Sequence, residues 1–512
     1  MEKSEITYLG PPGTGKTQNN SNLVKQCIER GIEPDRIACV SFTKKAASES
    51  RERVSRDWGI EENDLPYFQT LHSMAFRAGG YKPTEVMRPQ DHRIIGNEVG
   101  LSFYTRTSSN IESDLDSLSG ISEGNWYLSL YHLARSKCIP YKEFYRREGD
   151  YRIQYSLLER FVEAYEAYKK EFGKIDFTDM IESFIKHDLP MDIDALLVDE
   201  AQDLSTLQWK MIDILRRLPD FQVFSGDDDQ AIMGFQGADV EAFQNCTANK
   251  VVLSKSYRLP ISVYDLAQKI VNRISNREPK VWSPRDEDGN VVWHWDLRNV
   301  PLQDGEWNLL ARTNRIADFY ANVLRDQGWI YSRFGKPSIS AEVFDAIVNW
   351  ESWLSGALIT MPMIKNIYKH MKEGTGYKKG FSPRTKIFRN PDEETRVSMS
   401  MAREHYGLIA PQEMWKIALD GIDLDTKQYV LNARRRGDNV KHPRIKVSTI
   451  HSMKGGECDN IILAPDISKA AYSAFGKDPN TEHRVFYVGA TRAKKTLHIL
   501  EPGMGDKYYY PI

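Results

Sequence analysis

Residues 10–17 read GPPGTGKT, a glycine-rich loop that ends on a lysine and a threonine. It follows the apolar run ITYL and opens the helix-like segment QNNSNLVKQCIER. That strand–loop–helix setting is what a triphosphate cradle requires. Glycines let successive backbone N–H groups turn inward around phosphate oxygens, and the helix N-terminus adds positive potential. In such a loop Lys16 reaches the β and γ phosphates and the Thr17 hydroxyl holds Mg2+. The candidate nucleotide set is Gly10, Pro11, Pro12, Gly13, Thr14, Gly15, Lys16 and Thr17. A second string, LLVDEAQD at 196–203, ends an apolar run with the adjacent acids Asp199 and Glu200. Phosphoryl transfer needs one acid on the metal and one to orient or deprotonate water. A chance glycine turn and two solvated acids at a strand end are the bland readings. Finding both strings in one chain, each in its required setting, favours the chemical one. The loop alone says triphosphate, not what the energy is used for.

Both strings need a buried parallel sheet to hold them. Short apolar runs occur at 6–10, 36–42, 194–200 and 221–227, and again at 307–313, 445–450, 460–465 and 496–501. Bounded by turn residues and separated by helical patterns, they predict buried parallel strands in two doubly wound α/β domains. Residues 76–174 read as mainly helical. In QYSLLERFVEAYEAYKKEF, Leu157, Leu158, Phe161, Tyr165, Tyr168 and Phe172 share one face, which reads as core rather than a base-stacking platform. The Ser/Asp/Gly-rich stretch 107–125 and the partly basic stretch 374–395 read as loops.

The chain has 512 residues, about three or four domains' worth. Its 41% hydrophobic and 27% charged content fits a soluble globular protein. With a net charge of -2, a nucleic-acid partner would have to be held by a local basic surface. The five cysteines form no C-x-x-C pair, which predicts free thiols in a reducing compartment. MEKSEITYL is no signal peptide, and no run approaches the length of a spanning helix. A cytoplasmic location, in a bacterial cell or a phage-infected host, is expected, with no membrane partner.

DEAQD, SFTKKAASES (41–50), TLHS (70–73), DFTDM (176–180), SGDDDQAIMGFQGA (225–238), SKSYR (254–258), ARTN (311–314), STIHSMKGGE (448–457) and EHRVFYVGATRAKK (482–495) together resemble the motif series of UvrD/Rep/PcrA-type superfamily 1A helicases. They stand in the family's order and cover almost the whole chain. Any one of them is weak; the ordered set is very specific. The resemblance implies an α/β fold of two RecA-like P-loop NTPase domains, each with a mainly helical insertion. It places the first motor domain at 1–75 and 175–260, its insertion at 76–174, the second motor domain at 261–340 and 441–512, and a reduced insertion at 341–440.

It also implies roles. Lys16 and Thr17 bind phosphate and Mg2+, Asp199 ligates the metal and Glu200 is the catalytic base. Gln230 senses the γ-phosphate and links it to DNA. Arg258 and Arg492 resemble arginine fingers from opposite sides of the cleft, Tyr257 the adenine-stacking residue and Glu457 the ribose contact. Phe42, Thr43 and His72 are expected to face a single strand, with Phe177 and Phe235 as stacking aromatics and His451 as a contact in the second domain. Taken singly, each arginine would be read as solvated and each aromatic as core. Lys44, Lys45, Arg51 and Arg53 could supply phosphate charge or form a solvated helix face. The run ARRRGDNVKHPR at 433–444 reads as a linker into the second sheet more than as a duplex contact.

The chain departs from the family at several places. Nine residues precede the loop, so the usual upstream Gln that reads adenine is missing and ATP preference is less secure. Met233, Phe235 and Gln236 stand where Tyr, Trp and Arg are usual, and Gly456 and Gly489 where Leu and Ala are usual. Weaker single-strand contact is expected, since Met cannot stack flatly. The resemblance implies an ATP- and Mg2+-dependent DNA helicase moving 3′ to 5′ on single strands and at single-strand/duplex junctions, in replication, repair or recombination. The alternatives are a translocase that strips proteins with little unwinding, favoured by the reduced insertion, and a motor subunit that needs a partner replication or repair protein. A scaffold without ATPase activity is disfavoured by the intact Lys16, Asp199, Glu200, Gln230, Arg258 and Arg492.

Overall fold

The computed structural model describes residues 4–103, 122–149, 152–189, 191–388, 394–437, 439–505 and 507–512. Six parallel strands make the first sheet: β1 (Ser4–Leu9), β2 (Ile37–Ser41), β3 (Phe68–Gln69), β4 (Ala195–Asp199), β5 (Phe221–Gly226) and β6 (Lys250–Val252). Their order is β3-β2-β4-β5-β1-β6. The second sheet uses β7 (Asn290–His294), β8 (Trp307–Ala311), β9 (Tyr331–Arg333) and β10 (Lys336–Pro337). A two-stranded ribbon of β11 (Ile359–Thr360) and β12 (Arg396–Val397) comes next in the chain. The second sheet then resumes with β13 (Ile445–Thr449), β14 (Cys458–Leu463) and β15 (Ala493–Leu500). Its order is β10-β9-β13-β8-β14-β15-β7, with β9–β10 the antiparallel pair.

All eight predicted strands are present. Their apolar runs are continuous because both faces of each sheet are covered. In β2, Ala38 and Val40 pack into one core cluster while Ile37 and Cys39 pack into another, and β4 divides the same way. In β14, Ile461 and Leu463 face one side and Ile462 the other. The mainly helical regions are built differently, each around a core of its own. One gathers Ile95, Tyr127, Leu158, Phe161 and Tyr165. The other gathers Trp350, Trp353, Ile364, Tyr368 and Val430. The aromatic stripe is therefore core at Leu158, Phe161 and Tyr165, while Phe172 emerges into solvent.

The loop expected over 107–125 lies mostly outside the described residues. Its last three residues are helical, because Glu123 begins the helix Glu123–Ser136 with Ser122 at its cap. The 374–395 stretch is turns and one short helix, Lys386–Phe388, over its described part. All five cysteines are free thiols. Among the described residues no helix is long and apolar enough to cross a membrane.

Parallel strand order decides where chemistry can sit. In such sheets, loops at the carboxyl ends of neighbouring strands share one edge. The phosphate loop follows β1, the DDDQ segment follows β5 and the acid pair closes β4, and these three strands are adjacent. The SFT and TLH segments follow β2 and β3, farther along that edge.

Candidate nucleotide site and nucleic-acid face

The phosphate loop is held by the segment after β6. The Tyr257 N–H donates to the Gly13 carbonyl at 2.8 Å, and the Ser256 hydroxyl donates to the Pro12 carbonyl at 2.8 Å. Gly13 has φ +74°, and a Cβ there would lie 2.3 Å from Arg258 Cβ, so the two segments can meet only at a glycine. Thr14 Oγ1 donates to the Pro11 carbonyl at 2.8 Å, and Lys16 Nζ donates to the Gly10 carbonyl at 2.8 Å. Gly15 caps the helix Lys16–Glu29, whose first turn carries Lys16 and Thr17. The Tyr257 ring is 74% exposed beside this loop, open to a flat partner.

Asp199 ends β4, and the Glu200 N–H donates to Asp199 Oδ1 at 3.1 Å. Glu200 has φ +52°, a conformation rare outside glycine that turns its side chain out of the strand path. Gln202 Nε2 donates to Glu200 Oε2 at 2.5 Å, and Gln202 Oε1 accepts from the Asp227 N–H at 3.0 Å. Burial, with Glu200 beside it, pushes Asp199 up to about 7 against the pull of Lys16. For Glu200, burial is outweighed by Lys16 and Lys454, which keep it ionised. Glu200, held ionised, raises the buried Asp199 beside it, and the negative charge of the two acids is one that a divalent cation neutralises. A Thr hydroxyl and an Asp carboxylate are hard oxygen donors, so this pair fits Mg2+.

The second sheet closes over this edge. Lys454, on the turn after β13, donates to Asp203 Oδ1 and Oδ2 at 2.6 and 2.5 Å and to the Gln230 carbonyl at 2.7 Å. Burial pushes Asp203 up to about 6, with Lys454 opposing. Arg492 is 1% exposed and donates from Nη2 to Gln230 Oε1 at 2.9 Å and from Nε to the Val488 carbonyl at 2.9 Å. Burial and the neighbouring Arg258 push its guanidinium down to about 9. Arg258 donates to Glu457 Oε2 at 2.7 Å, so the expected finger and the expected ribose contact form an ion pair. A Cβ on Gly456 would lie 2.8 Å from Met453 Sδ, and one on Gly489 would lie 2.9 Å from Leu463 Cδ1; close packing occupies both places.

Sequence reasoning did not single out Lys454, although it lies inside the quoted STIHSMKGGE. It also missed Arg277, Lys280 and Arg484, which surround the buried Asp227, Asp228 and Asp229. The available signal was the acid run itself, because three buried carboxylates require cations nearby.

Four of the six expected nucleic-acid residues fall into two ring pairs. His72 lies edge-on to Phe177, centroids 5.8 Å apart, and burial holds its imidazole down to about 4, hence neutral. Phe177 is 57% exposed. Phe235 lies edge-on to His451 at 5.4 Å, bringing the two sheets' loops together despite Met233 and Gln236. Thr43 caps the helix Lys44–Trp58, its Oγ1 accepting from the Ala46 N–H at 3.2 Å. Phe42 is half-buried against the first core. Of the basic residues on that helix, Lys45 pairs with Glu49 at 3.6 Å and Arg53 donates to Gln18 Oε1 at 3.1 Å. The 433–444 run behaves as a linker. Arg434 forks onto Glu351 at 2.6 and 2.9 Å, Arg436 lies 4.0 Å over Trp329, and Arg444 donates to the Gly305 carbonyl at 3.0 Å.

A family model described as the UvrD/REP helicase N-terminal domain matches residues 2–250, and a UvrD-like helicase C-terminal domain model matches residues 420–501. The chain belongs to the UvrD/Rep helicase family. Helicases of this family use ATP, generally with Mg2+, and bind DNA. The chain is 27% identical over 344 residues to a probable DNA helicase II homolog of Rickettsia conorii, covering 60% of this chain and 50% of the relative. It is 23% identical over 307 residues to the ATP-dependent DNA helicase PcrA of Leuconostoc citreum, covering 56% and 40%. Escherichia coli DNA helicase II is 23% identical over 307 residues, covering 55% and 40%. The matches thus span half or less of these relatives' own length.

Proposed function

We propose that this UvrD/Rep-family chain is an ATP-driven motor that moves along single-stranded DNA and separates duplex strands. The reading rests above all on Gln230. It sits on the short helical turn after β5, the strand beside the phosphate-loop strand, and accepts from Arg492 across the cleft at 2.9 Å. A residue so placed can report the γ-phosphate of one domain to the arginine of the other. Closure that assembles the hydrolytic site then also moves His451 of the second domain relative to Phe235 and the His72–Phe177 pair of the first.

In this reading Lys16 holds the β and γ phosphates. Thr17 and Asp199 would hold Mg2+, which would supply charge neutralisation at the phosphates. Glu200 takes the proton of the attacking water; Arg258 and Arg492 stabilise charge as it develops. Tyr257 stacks the base and Glu457 takes the ribose. The remaining loop residues Gly10, Pro11, Pro12, Gly13, Thr14 and Gly15 line the phosphates. Phe42, Thr43, His72, Phe177, Phe235 and His451 form the strand track. The first motor domain is 1–75 with 175–260, carrying the insertion 76–174. The second is 261–340 with 441–512, carrying the insertion 341–440. Polarity is assigned as 3′ to 5′, as in the family the motifs resemble. The compact second insertion also supports a translocase that displaces proteins more readily than it unwinds.

Steady-state ATP hydrolysis with and without single-stranded DNA tests the reading, with RNA and GTP as controls. Strong stimulation by DNA is expected, and Lys16→Ala is expected to cut turnover by at least about 100-fold with the fold intact. Retained turnover in that variant would overturn the phosphate-loop assignment, and DNA-independent turnover in the wild type would overturn the motor.

A further inference from the structure

The buried group with the most demanding surroundings is Lys280. It lies on the segment between the helix Ile261–Val271 and β7. Its side chain has 0% exposure, and its ammonium stands 3.0 Å from Asp227 Oδ1 and 2.8 Å from Asp229 Oδ2, with Asp228 in contact as well. Arg277 forks onto Asp229 at 2.8 and 2.6 Å, and the Glu278 N–H donates to Asp228 Oδ2 at 2.7 Å. Arg484 Nε donates to the Asp228 carbonyl at 2.8 Å. Three carboxylates this close could hold a divalent ion, but the ammonium already fills that place. Burying an ammonium is costly unless it is paired, and here the three carboxylates pair it.

Asp227 links this ammonium to the cleft. Its Oδ1 takes Lys280 and the Asp229 N–H, while its Oδ2 accepts from Gln230 Nε2 at 2.7 Å. An amide can be turned either way, but Asp227 only accepts and Arg492 only donates. The Gln230 nitrogen must therefore face Asp227 and its oxygen must face Arg492, 2.9 Å away. Without its counter-charge, the Asp227 carboxylate would lose the contact that fixes it and Gln230 would lose its orientation.

We propose that Lys280 is a positioning residue for hydrolysis, acting through Asp227 to set the Gln230 amide and so the register of Arg492. The inference rests on the roles given above to Gln230 and Arg492. It extends their coupling to the segment that leads into the second sheet.

The test is steady-state ATPase on saturating oligo(dT) for the wild type, Lys280→Met, Asp227→Asn, Gln230→Ala and the Asp227→Asn/Gln230→Ala double variant. Asp227→Asn keeps the shape and serves if Lys280→Met fails to fold. The single variants at 280 and 227 are expected to lower kcat by about 10-fold or more while KM for ATP stays within about 2-fold. In the Gln230→Ala background, Asp227→Asn should add less than about 2-fold, because the residue it acts through is gone. A purely structural tie would lower the melting temperature, leave kcat per folded molecule unchanged and give independent effects. Overturning results are kcat within about 2-fold of wild type for Asp227→Asn, or a full multiplicative loss in the double variant. If the wild type itself does not hydrolyse ATP, the motor reading falls and this proposal falls with it. If the wild type is stimulated and Asp227→Asn is unaffected, this proposal falls alone.

Discussion

Phe177 begins a helix whose Met180, Ile181 and Phe184 are buried, yet its own ring is 57% exposed. Exposure of that size at a helix start is not needed for folding. Base stacking on an aromatic ring is worth about 1–3 kcal/mol per base. Phe177→Ala should therefore weaken single-strand binding by that amount in a fluorescence titration and leave the melting temperature unchanged. Unchanged affinity would remove Phe177 from the track. At this scale the sequence was most informative where a residue type has one chemical use. Lys16, Asp199 and Glu200 were legible from their own strings. Lys454 and Lys280 were not, because a lysine looks solvated until the acids it meets, 251 and 51 to 53 positions away in sequence, are known to be buried. The pairing of Arg258 with Glu457 was unreadable for the same reason.

Two helices of the 76–174 region meet the DFTDM segment through buried charge. Arg135 donates to Asp176 Oδ2 at 2.9 Å and Lys169 Nζ donates to the same oxygen at 3.0 Å; both also reach Asp179. Asp176 caps the Phe177 helix, so this cluster fixes how Phe177 and His72 are presented. Burial alone would raise the Asp176 carboxyl, but His132, Arg135 and Lys169 hold it well below the usual carboxylate range. Its folded-state value lies below its unfolded one. The stability it contributes is therefore complete above about pH 4 and lost as pH falls further. Asp176→Asn should flatten the acid limb of a stability–pH profile followed by urea unfolding, and a limb as steep as wild type would refute the assignment. Arg135→Met should cost about 3–5 kcal/mol in that assay, since it leaves buried carboxylates short of a partner. A loss below about 1 kcal/mol, the range of exposed pairs, would mean that water reaches the cluster. Central strands were legible because burial on both faces demands an unbroken apolar run. The short or exposed strands β3, β6, β7, β9 and β10 carry no such run, and backbone pairing at the sheet margin defines them.

At the scale of the molecule, two mainly parallel sheets face one another through Gln230, Arg492, Lys454 and Lys280, while two helical regions with separate cores attach to them. The two sheets and the helical regions between their strands followed from the apolar runs and the helical patterns that separate them. How the sheets meet did not follow, because contacts between distant segments leave no periodic trace in the chain. In the proposed motor, nucleotide turnover at this interface drives movement along one strand. Strand displacement from 3′-tailed and 5′-tailed duplexes, with ATP and with a non-hydrolysable analogue, tests this most directly. The prediction is ATP-dependent displacement from the 3′-tailed duplex, little from the 5′-tailed one, and none with the analogue. Displacement that ignores the tail or proceeds with the analogue would contradict it.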